Sequence, residues 1–378
     1  MPLKVVHIIP TLDQGGAEKQ LCLLSTHLDR SRFDVHVVVL THSGPREAEL
    51  RQQGIPVHLI GKRSKFDPWA YRRLKLKLAE LQPDIVHTWL FAANAYGRTA
   101  ALANRVPVII AGERCVDPWK QWWQLAIDRQ LLRRTSAVVT NTSAVVDFYA
   151  QRGLSTERFV VIPNAVEVPT GRRLTAADVC QRLQLPPRKN VVLAIGRLWP
   201  QKGYPDLIWA GELLRVACPD TWLVIIGDGP QRARLQHYRD QVRAEDAVRF
   251  VGQRTDAHEL LSGASLLWNG SLYEGQSNTI LEAMAWGIPV VATDIPGTRD
   301  LVVPEVTGCL YNPGDVATLT RSSVRLLEDP SLAGPMGTAA RQRVQGEFSL
   351  QLMVQRHTEL YQQLYHQAQP HGRSVSSS

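Results

Sequence analysis

The feature that most restricts the fold of this chain is an alternation, run through twice, of short β-branched segments with longer amphipathic ones. Strand-like runs stand at Val5–Ile9, Val35–Leu40, Ile85–Thr88, Val108–Ala111 and Ala137–Thr140. Helix-like stretches at Ala17–Leu28, Pro68–Leu81 and Trp119–Arg133 lie between them, and Arg158–Asn164 closes the series. Strands spaced by helical lengths form parallel sheets with crossover helices, not hairpins. Pro169, Gly171, Pro186 and Pro187 then break the pattern between Glu167 and Lys189. It restarts with strands at Val191–Ile195, Leu223–Ile226, Val248–Val251, Ser265–Trp268 and Pro289–Ala292, and helices at Pro205–Arg215, Gln231–Val242 and Thr279–Trp286. The expectation is an α/β protein of two Rossmann-like, doubly wound parallel-sheet domains, 1–168 and 190–347, joined by a linker at 169–189. A C-terminal helix at 348–368 follows; Met353, Leu360, Tyr361 and Leu364 give it an apolar face that must dock. The Ser-rich stretch 369–378 reads as a disordered tail.

Composition narrows the setting. The chain has 378 residues and a formal charge of +8. Residues 1–168 hold 22 Lys and Arg against 15 Asp and Glu, leaving 21 against 20 elsewhere, so the N-terminal half favours anionic partners. Five scattered cysteines without a C-x-x-C pair fit a reducing compartment. Neither a signal-peptide pattern nor an uninterrupted apolar run of about 20 residues is present, which makes a cytoplasmic location the expectation. Two segments mix cations with aromatics. Lys62, Arg63, Lys65, Arg72, Arg73, Lys75 and Lys77 surround Phe66, Trp69 and Tyr71; Trp119, Trp122 and Trp123 precede Arg129, Arg133 and Arg134. They read either as surfaces for an anionic membrane or as solvated helix faces with aromatics packed inward. No nucleic-acid partner is expected.

Three constellations carry chemistry. Gly15 and Gly16 sit where the first strand turns into the first helix, a place where bare backbone N–H groups and the helix dipole suit an anion, though glycines there are as often turn chemistry. Arg197 and Lys202, in GRLWPQKG, lie just past a strand's C-terminal end, the crevice where open α/β sheets bind ligands. Two cations there suit a diphosphate. Glu274 and Glu282 flank the start of a helix in SLYEGQSNTILEAMAWGIP, with Gly275 and Asn278 between them. Eight helical positions span roughly 12 Å, about the reach from a ribose across a diphosphate to a sugar. Glu282, among Ile280, Leu281, Ala283 and Met284, needs a hydroxyl or cation partner.

Taken together, Glu274-x7-Glu282 with AMAWGIPVVATDIPG, GRLWPQKG, IIGDGP, VIPNAVE and GGAE resemble glycosyltransferase family 4, in the order expected of it and from about Lys4 to Tyr365. The resemblance implies the GT-B fold, two domains facing a central cleft, with the last helix crossing back to the N-terminal domain. It further implies retaining, metal-independent transfer of a sugar from a nucleotide-diphosphate donor, most often a UDP-sugar, to a glycan or lipid-linked acceptor, with no cofactor. By the same resemblance Arg197 and Lys202 would neutralise the departing diphosphate, Glu282 would hold the ribose, and Glu274 would face the donor sugar. Gly15 and Gly16 would make room for phosphates, and Val251 and Gly252 would flank the base. Some members of the family carry a catalytic histidine after the strand 108–111; here Gly112-Glu113-Arg114-Cys115 stands instead. On the acceptor side His87 and Glu113 are the candidates, and His87 reads equally as a structural histidine. No D-x-D carboxylate clamp occurs.

A dehydrogenase is disfavoured because neither first turn completes G-x-G-x-x-G. A sugar-nucleotide epimerase of the same fold and a non-catalytic nucleotide-sugar-binding regulator are the remaining alternatives.

Overall fold

The computed structural model describes residues 1–369; the expected tail lies, beyond Gln369, outside the described residues. The described residues divide into two compact units, 1–164 with 350–369, and 165–349.

In the first unit the elements run β1 (Leu3–Thr11), α1 (Gly16–His27), β2 (Phe33–His42), α2 (Arg46–Gln52), β3 (Val57–Leu59), α3 (Pro68–Leu81), β4 (Ile85–Trp89), α4 (Leu90–Ala103), β5 (Val108–Glu113), α5 (Trp122–Leu132), β6 (Ala137–Thr140), α6 (Ser143–Ala150) and β7 (Phe159–Val161). The seven strands pair in parallel in the order β3-β2-β1-β4-β5-β6-β7, so the winding direction reverses between β1 and β4. α3 starts at its Asp67 cap with Pro68 in the first turn and ends where Gln82 turns left-handed. Its buried Ala70, Leu74, Leu78 and Leu81, at helical spacing, pack with Val6, Ile8 and Val86 of the sheet.

The second unit contains α7 (Ala176–Arg182), β8 (Asn190–Ile195), α8 (Tyr204–Ala217), β9 (Thr221–Ile226), α9 (Arg232–Gln241), β10 (Val248–Gly252), α10 (Ala257–Ser262), β11 (Leu266–Asn269), α11 (Asn278–Trp286), β12 (Val290–Thr293), α12 (Pro296–Arg299), β13 (Cys309–Tyr311), α13 (Val316–Glu328) and α14 (Pro330–Glu347). Its sheet, again parallel, has the order β10-β9-β8-β11-β12-β13, with the reversal between β8 and β11. Both faces of this sheet are covered by apolar clusters, which is why its strands read as nearly continuous hydrophobic runs.

The segment 169–189 is no free linker. Val179 and Cys180 of α7, and Leu183 just after it, are buried in the core of the second unit, each apolar side chain worth roughly 2 kcal/mol of burial. The last helix, α15 (Leu350–Ala368), belongs to the first unit, where Leu350, Met353, His357, Leu360 and Tyr361 are buried.

Candidate active site

In the second unit the reversal point of the sheet assembles the charged residues. The loop after β8 and the loop after β11 leave neighbouring strands on either side of that point, where parallel sheets open a crevice at their carboxyl ends. The first loop carries Arg197, then a single 3-10 turn, Pro200–Lys202. Gly203 ends that turn at φ 60°, and a Cβ there would collide with the Gly270 carbonyl, so only glycine lets the two loops touch. The second loop carries Glu274. Leu272 N–H donates to the Gln201 carbonyl at 2.8 Å and the Gln201 side chain donates to the Tyr273 carbonyl at 2.6 Å, which clips the loops together.

The result is an ion pair between Lys202 Nζ and Glu274 Oε1, and Ser271 Oγ donates to the same carboxylate oxygen. Their side chains are 20% and 10% exposed, enough shielding for the pair to be felt and enough access for a ligand to reach it. Tyr204, buried beneath, donates to the Gly196 carbonyl at 2.9 Å; burial, followed by the charge of Glu274, pushes its phenol well above the ordinary range. Arg197 is exposed, with Cζ 5.8 Å from the Trp199 ring centre. One ion-paired cation, one exposed cation and a carboxylate thus lie on the two loops that leave the reversal point. Ser271, Tyr204 and Gln201 are not marked by the sequence, because Gln201 gains its role from the loop that lies opposite, and Ser271 and Tyr204 gain theirs from how their own loops turn back.

Helix α11 begins at Asn278 after Ser277, whose Oγ accepts from Asn269 Nδ2 at 3.2 Å, and stops at Gly287, φ 69°. Glu282 is half-buried and lies four residues beyond Asn278, about 6 Å along the axis. That is one turn in rather than the two expected from sequence, because residues 274–277 are loop. The backbone of Gly275 is fixed by Gly297, which packs against its carbonyl without room for a Cβ. Val251 and Gly252 end β10; Gly252, φ 74°, faces Arg232, itself paired with Asp228 at 2.8 Å.

The remaining candidates belong to the first unit. Gly15 precedes α1 and Gly16 opens it; a Cβ on Gly15 would strike the Glu18 carboxylate, which accepts from Thr11 Oγ1 at 3.2 Å. Glu113 and His87 are not presented to a surface. Glu113, 4% exposed, takes Lys120 Nζ at 3.1 Å and Asn94 Nδ2 at 2.8 Å; Lys120 also reaches Asp128 at 3.2 Å, and Asp128 holds Arg98 at 2.6 Å. Such a buried, mutually satisfied network is costly to break and fixes the loop after β5. His87 is fully buried, with Nδ1 2.7 Å from the Tyr361 hydroxyl of α15. The Glu113 carboxylate is therefore committed to side chains of the first unit, and His87 is buried with its Nδ1 at Tyr361.

Comparison with known proteins follows the same division. Residues 14–168 match the model described as Glycosyltransferase Family 4, and 178–343 the model described as Glycosyl transferases group 1. A glycogen synthase from Mycobacterium tuberculosis is 30% identical over 74% of this chain and 69% of its own length. The chain belongs to glycosyltransferase family 4. Another relative of this glycosyltransferase is the lipopolysaccharide core biosynthesis glycosyltransferase LpsD of Rhizobium meliloti, 25% identical over 76% of this chain and 78% of that one. An Escherichia coli UDP-Gal:alpha-D-GlcNAc-diphosphoundecaprenol alpha-1,3-galactosyltransferase is 25% identical over 91% and 79%. Among solved structures, Anabaena HepE in complex with UDP and glucose has a TM-score of 0.85 at 23% identity, covering 96% of this glycosyltransferase and 100% of HepE. That likeness establishes the GT-B fold.

Proposed function

We propose that this glycosyltransferase moves a hexose with retention of configuration from a nucleotide-diphosphate sugar, a UDP-sugar first, to a glycan or lipid-linked acceptor, in the synthesis of a cell-surface polysaccharide or glycolipid. The observation that carries the reading is the Lys202–Glu274 pair beside Arg197 at the reversal point of the second sheet. A diphosphate leaving group gains negative charge as its bond to the sugar breaks. Cations already held in place stabilise that charge without reorganisation, which is the electrostatic work a metal would otherwise do. Glu274, tethered by Ser271 and Lys202, faces the donor sugar, where positive charge develops at the anomeric carbon. Glu282, one turn into α11, holds the ribose hydroxyls, and the N-terminal N–H groups of that helix take phosphate oxygens. Val251 and Gly252 flank the base. In front-face transfer the departing phosphate oxygen accepts the acceptor's proton, so no separate protein base is required. The UDP named in the HepE complex and the diphosphoundecaprenol in the E. coli relative's name support the donor and acceptor classes.

The test is a panel of UDP-, GDP- and ADP-sugars, measured for nucleotide release with and without an acceptor extract. Release from a UDP-sugar, stimulated by acceptor and giving an α-linked product from an α-linked donor, is the expected result. A C2-epimerised sugar nucleotide or free sugar formed equally well without acceptor would replace the transferase by the epimerase. Binding with no turnover under any condition would leave the regulator.

A membrane-surface role accompanies this proposal. Phe66 and Trp69 at the start of α3 are 82% and 67% exposed, and Trp119 before α5 and Trp122 at its start are 54% and 80% exposed, so these four are not packed inward, whereas Tyr71 packs on the core. Arg63, Lys65, Arg72, Arg73 and Lys75 are exposed around the first pair. No described helix is long and apolar enough to cross a membrane; exposed cations around exposed aromatics suit a surface of anionic lipid. Flotation with vesicles rich in anionic lipid is expected to recover the protein at low salt and lose it at high salt, and Phe66→Ser with Trp69→Ser should abolish recovery. Equal flotation on neutral and anionic vesicles, or none on either, contradicts it.

A further inference from the structure

At the reversal point of the first sheet lies a second set of basic groups that sugar transfer does not use. His7 on β1 and His87 on β4 are register partners, with ring centres 5.4 Å apart. Both point to the face opposite the cluster containing Val6, Ile8 and Val86, and α15 covers them there with His357 and Tyr361. Trp89 lies two residues on from His87 and stacks on it at 4.8 Å, and the Arg114 guanidinium sits 4.5 Å from the Trp89 ring centre. All three histidines are fully buried and Arg114 is 7% exposed.

The hydrogen bonds that exist do not satisfy this set. Trp89 Nε1 donates to His7 Nδ1 at 3.1 Å, which leaves the proton of neutral His7 on Nε2, and His357 Nδ1 donates to the Met353 carbonyl at 2.9 Å. Six buried nitrogens have no partner: Nε2 of His7, His87 and His357, and Nε, Nη1 and Nη2 of Arg114. Buried polar atoms are almost always paired, and an arginine that deep is normally matched by a carboxylate. Here the adjacent carboxylate, Glu113, is committed to Lys120 and Asn94. Nε2 of neutral His357 keeps a lone pair, whereas the Arg114 guanidinium lacks both acceptor atoms and negative charge, and a tetrahedral oxyanion supplies the two together; guanidinium donors match phosphate geometry.

We propose that Arg114 and the Nε2–H of His87, whose Nδ1 accepts from the Tyr361 hydroxyl, form a binding site for one phosphate group beneath the C-terminal helix of the first unit, against the ring of His357. The group is either a free ion or part of a phosphorylated substrate. Because α15 supplies His357 and Tyr361 against His87, occupancy ties that helix to the sheet. The site is independent of the nucleotide reading, since every group in it belongs to the first unit.

The experiment is calorimetric titration with inorganic phosphate, and separately with glycerol 3-phosphate, in a sulfate- and phosphate-free buffer. It uses the full chain carrying Arg197→Ala and Lys202→Ala, so that the cations of the second unit do not report. Saturable phosphate binding is expected to survive in that background and to weaken at least tenfold on adding Arg114→Gln, with partial recovery in Arg114→Lys. Glycerol 3-phosphate bound as well as phosphate identifies an ester-borne group; binding of phosphate alone identifies a free ion. Histidine ring NMR of the unsubstituted protein gives a second readout that does not depend on the Arg114 variants folding: the His87 and His357 Nε2 signals should move on phosphate addition. No saturable binding, binding indifferent to Arg114, or titration that leaves those signals in place would overturn the site.

Discussion

Replacing Lys202 with alanine is expected to lower kcat by about 10²-fold or more, the range found when one preorganised charge-stabilising group is lost. The effect exceeds that of a simple contact for a structural reason. Lys202 is the partner of Glu274, so its removal takes a cation from the leaving group and also leaves a carboxylate, 10% exposed, with Ser271 as its hydrogen-bond donor. Arg197→Ala should cost a similar factor in turnover while leaving the loops intact, because the Arg197 side chain is exposed and holds neither loop. Glu274→Gln keeps the size and removes the charge, and its loss should fall on kcat with KM little changed. Glu282→Ala should instead raise donor KM, since a ribose contact is similar in ground and transition states. Steady-state kinetics on the four variants with one donor and one acceptor separates these signatures. An exchange of the two glutamate signatures would reverse the donor along α11.

The first unit is expected to lose stability steeply in mild acid. Burial, reinforced by the charge of His357, holds His7 down to about 3; burial likewise holds His357 at about 3, and burial with the charges of His7, His357 and Arg114 keeps His87 well below its ordinary value. Each is therefore neutral when folded and near 6.5 when unfolded. As pH falls through about 6.5 the unfolded chain binds protons that the folded one refuses, so the stability present above 6.5 is lost progressively toward 3. Between pH 7.5 and 5.5 each histidine costs about 1.4 kcal/mol, about 4 together. Asp117 works the other way. Burial, then the charge of Glu113, raises it to about 6, so protonation in that range returns about 1 kcal/mol. The net loss of about 3 kcal/mol corresponds to a fall of roughly 6–12 °C in the melting temperature of a unit this size. Melting in anion-free buffers at pH 7.5, 6.5 and 5.5 measures it, and His357→Leu should flatten the profile. An unchanged melting temperature across that range would mean that the three rings are solvated.

What could be read from the sequence and what could not follow from how far apart the interacting residues lie. Strands such as Ala137–Thr140 and helices such as Pro68–Leu81 announce themselves through local periodicity and caps. The three-residue strands β3 and β13 are too short to show alternation. Helix α4 escaped notice because its buried side includes Asn94 and Arg98, polar residues serving the Lys120–Asp128 network, so no clean apolar stripe marks it. Within the second unit, charge and glycine spacing were enough to single out Arg197, Lys202, Glu274 and Glu282. The clipping of two loops by Gln201, Leu272 and Tyr273 depends on contacts across about 70 positions, and the serine that anchors Glu274 three residues on does so only because of how that loop turns. The histidine and arginine cluster was out of reach for the same reason: His87 meets Tyr361 across 274 positions, and only the return of α15 to the first unit brings them together.

The claim on which the functional reading turns is that the crevice of Lys202, Glu274 and Arg197 receives a diphosphate. Binding tests it more directly than turnover, because no acceptor need be known. Titrating UDP and uridine into the unsubstituted protein, Lys202→Ala and Arg197→Ala compares a ligand that carries the diphosphate with one that lacks it. The account predicts that UDP binds at least tenfold more weakly to either variant while uridine binding is unchanged. Equal UDP affinity in all three proteins, or a parallel loss for uridine, would contradict it.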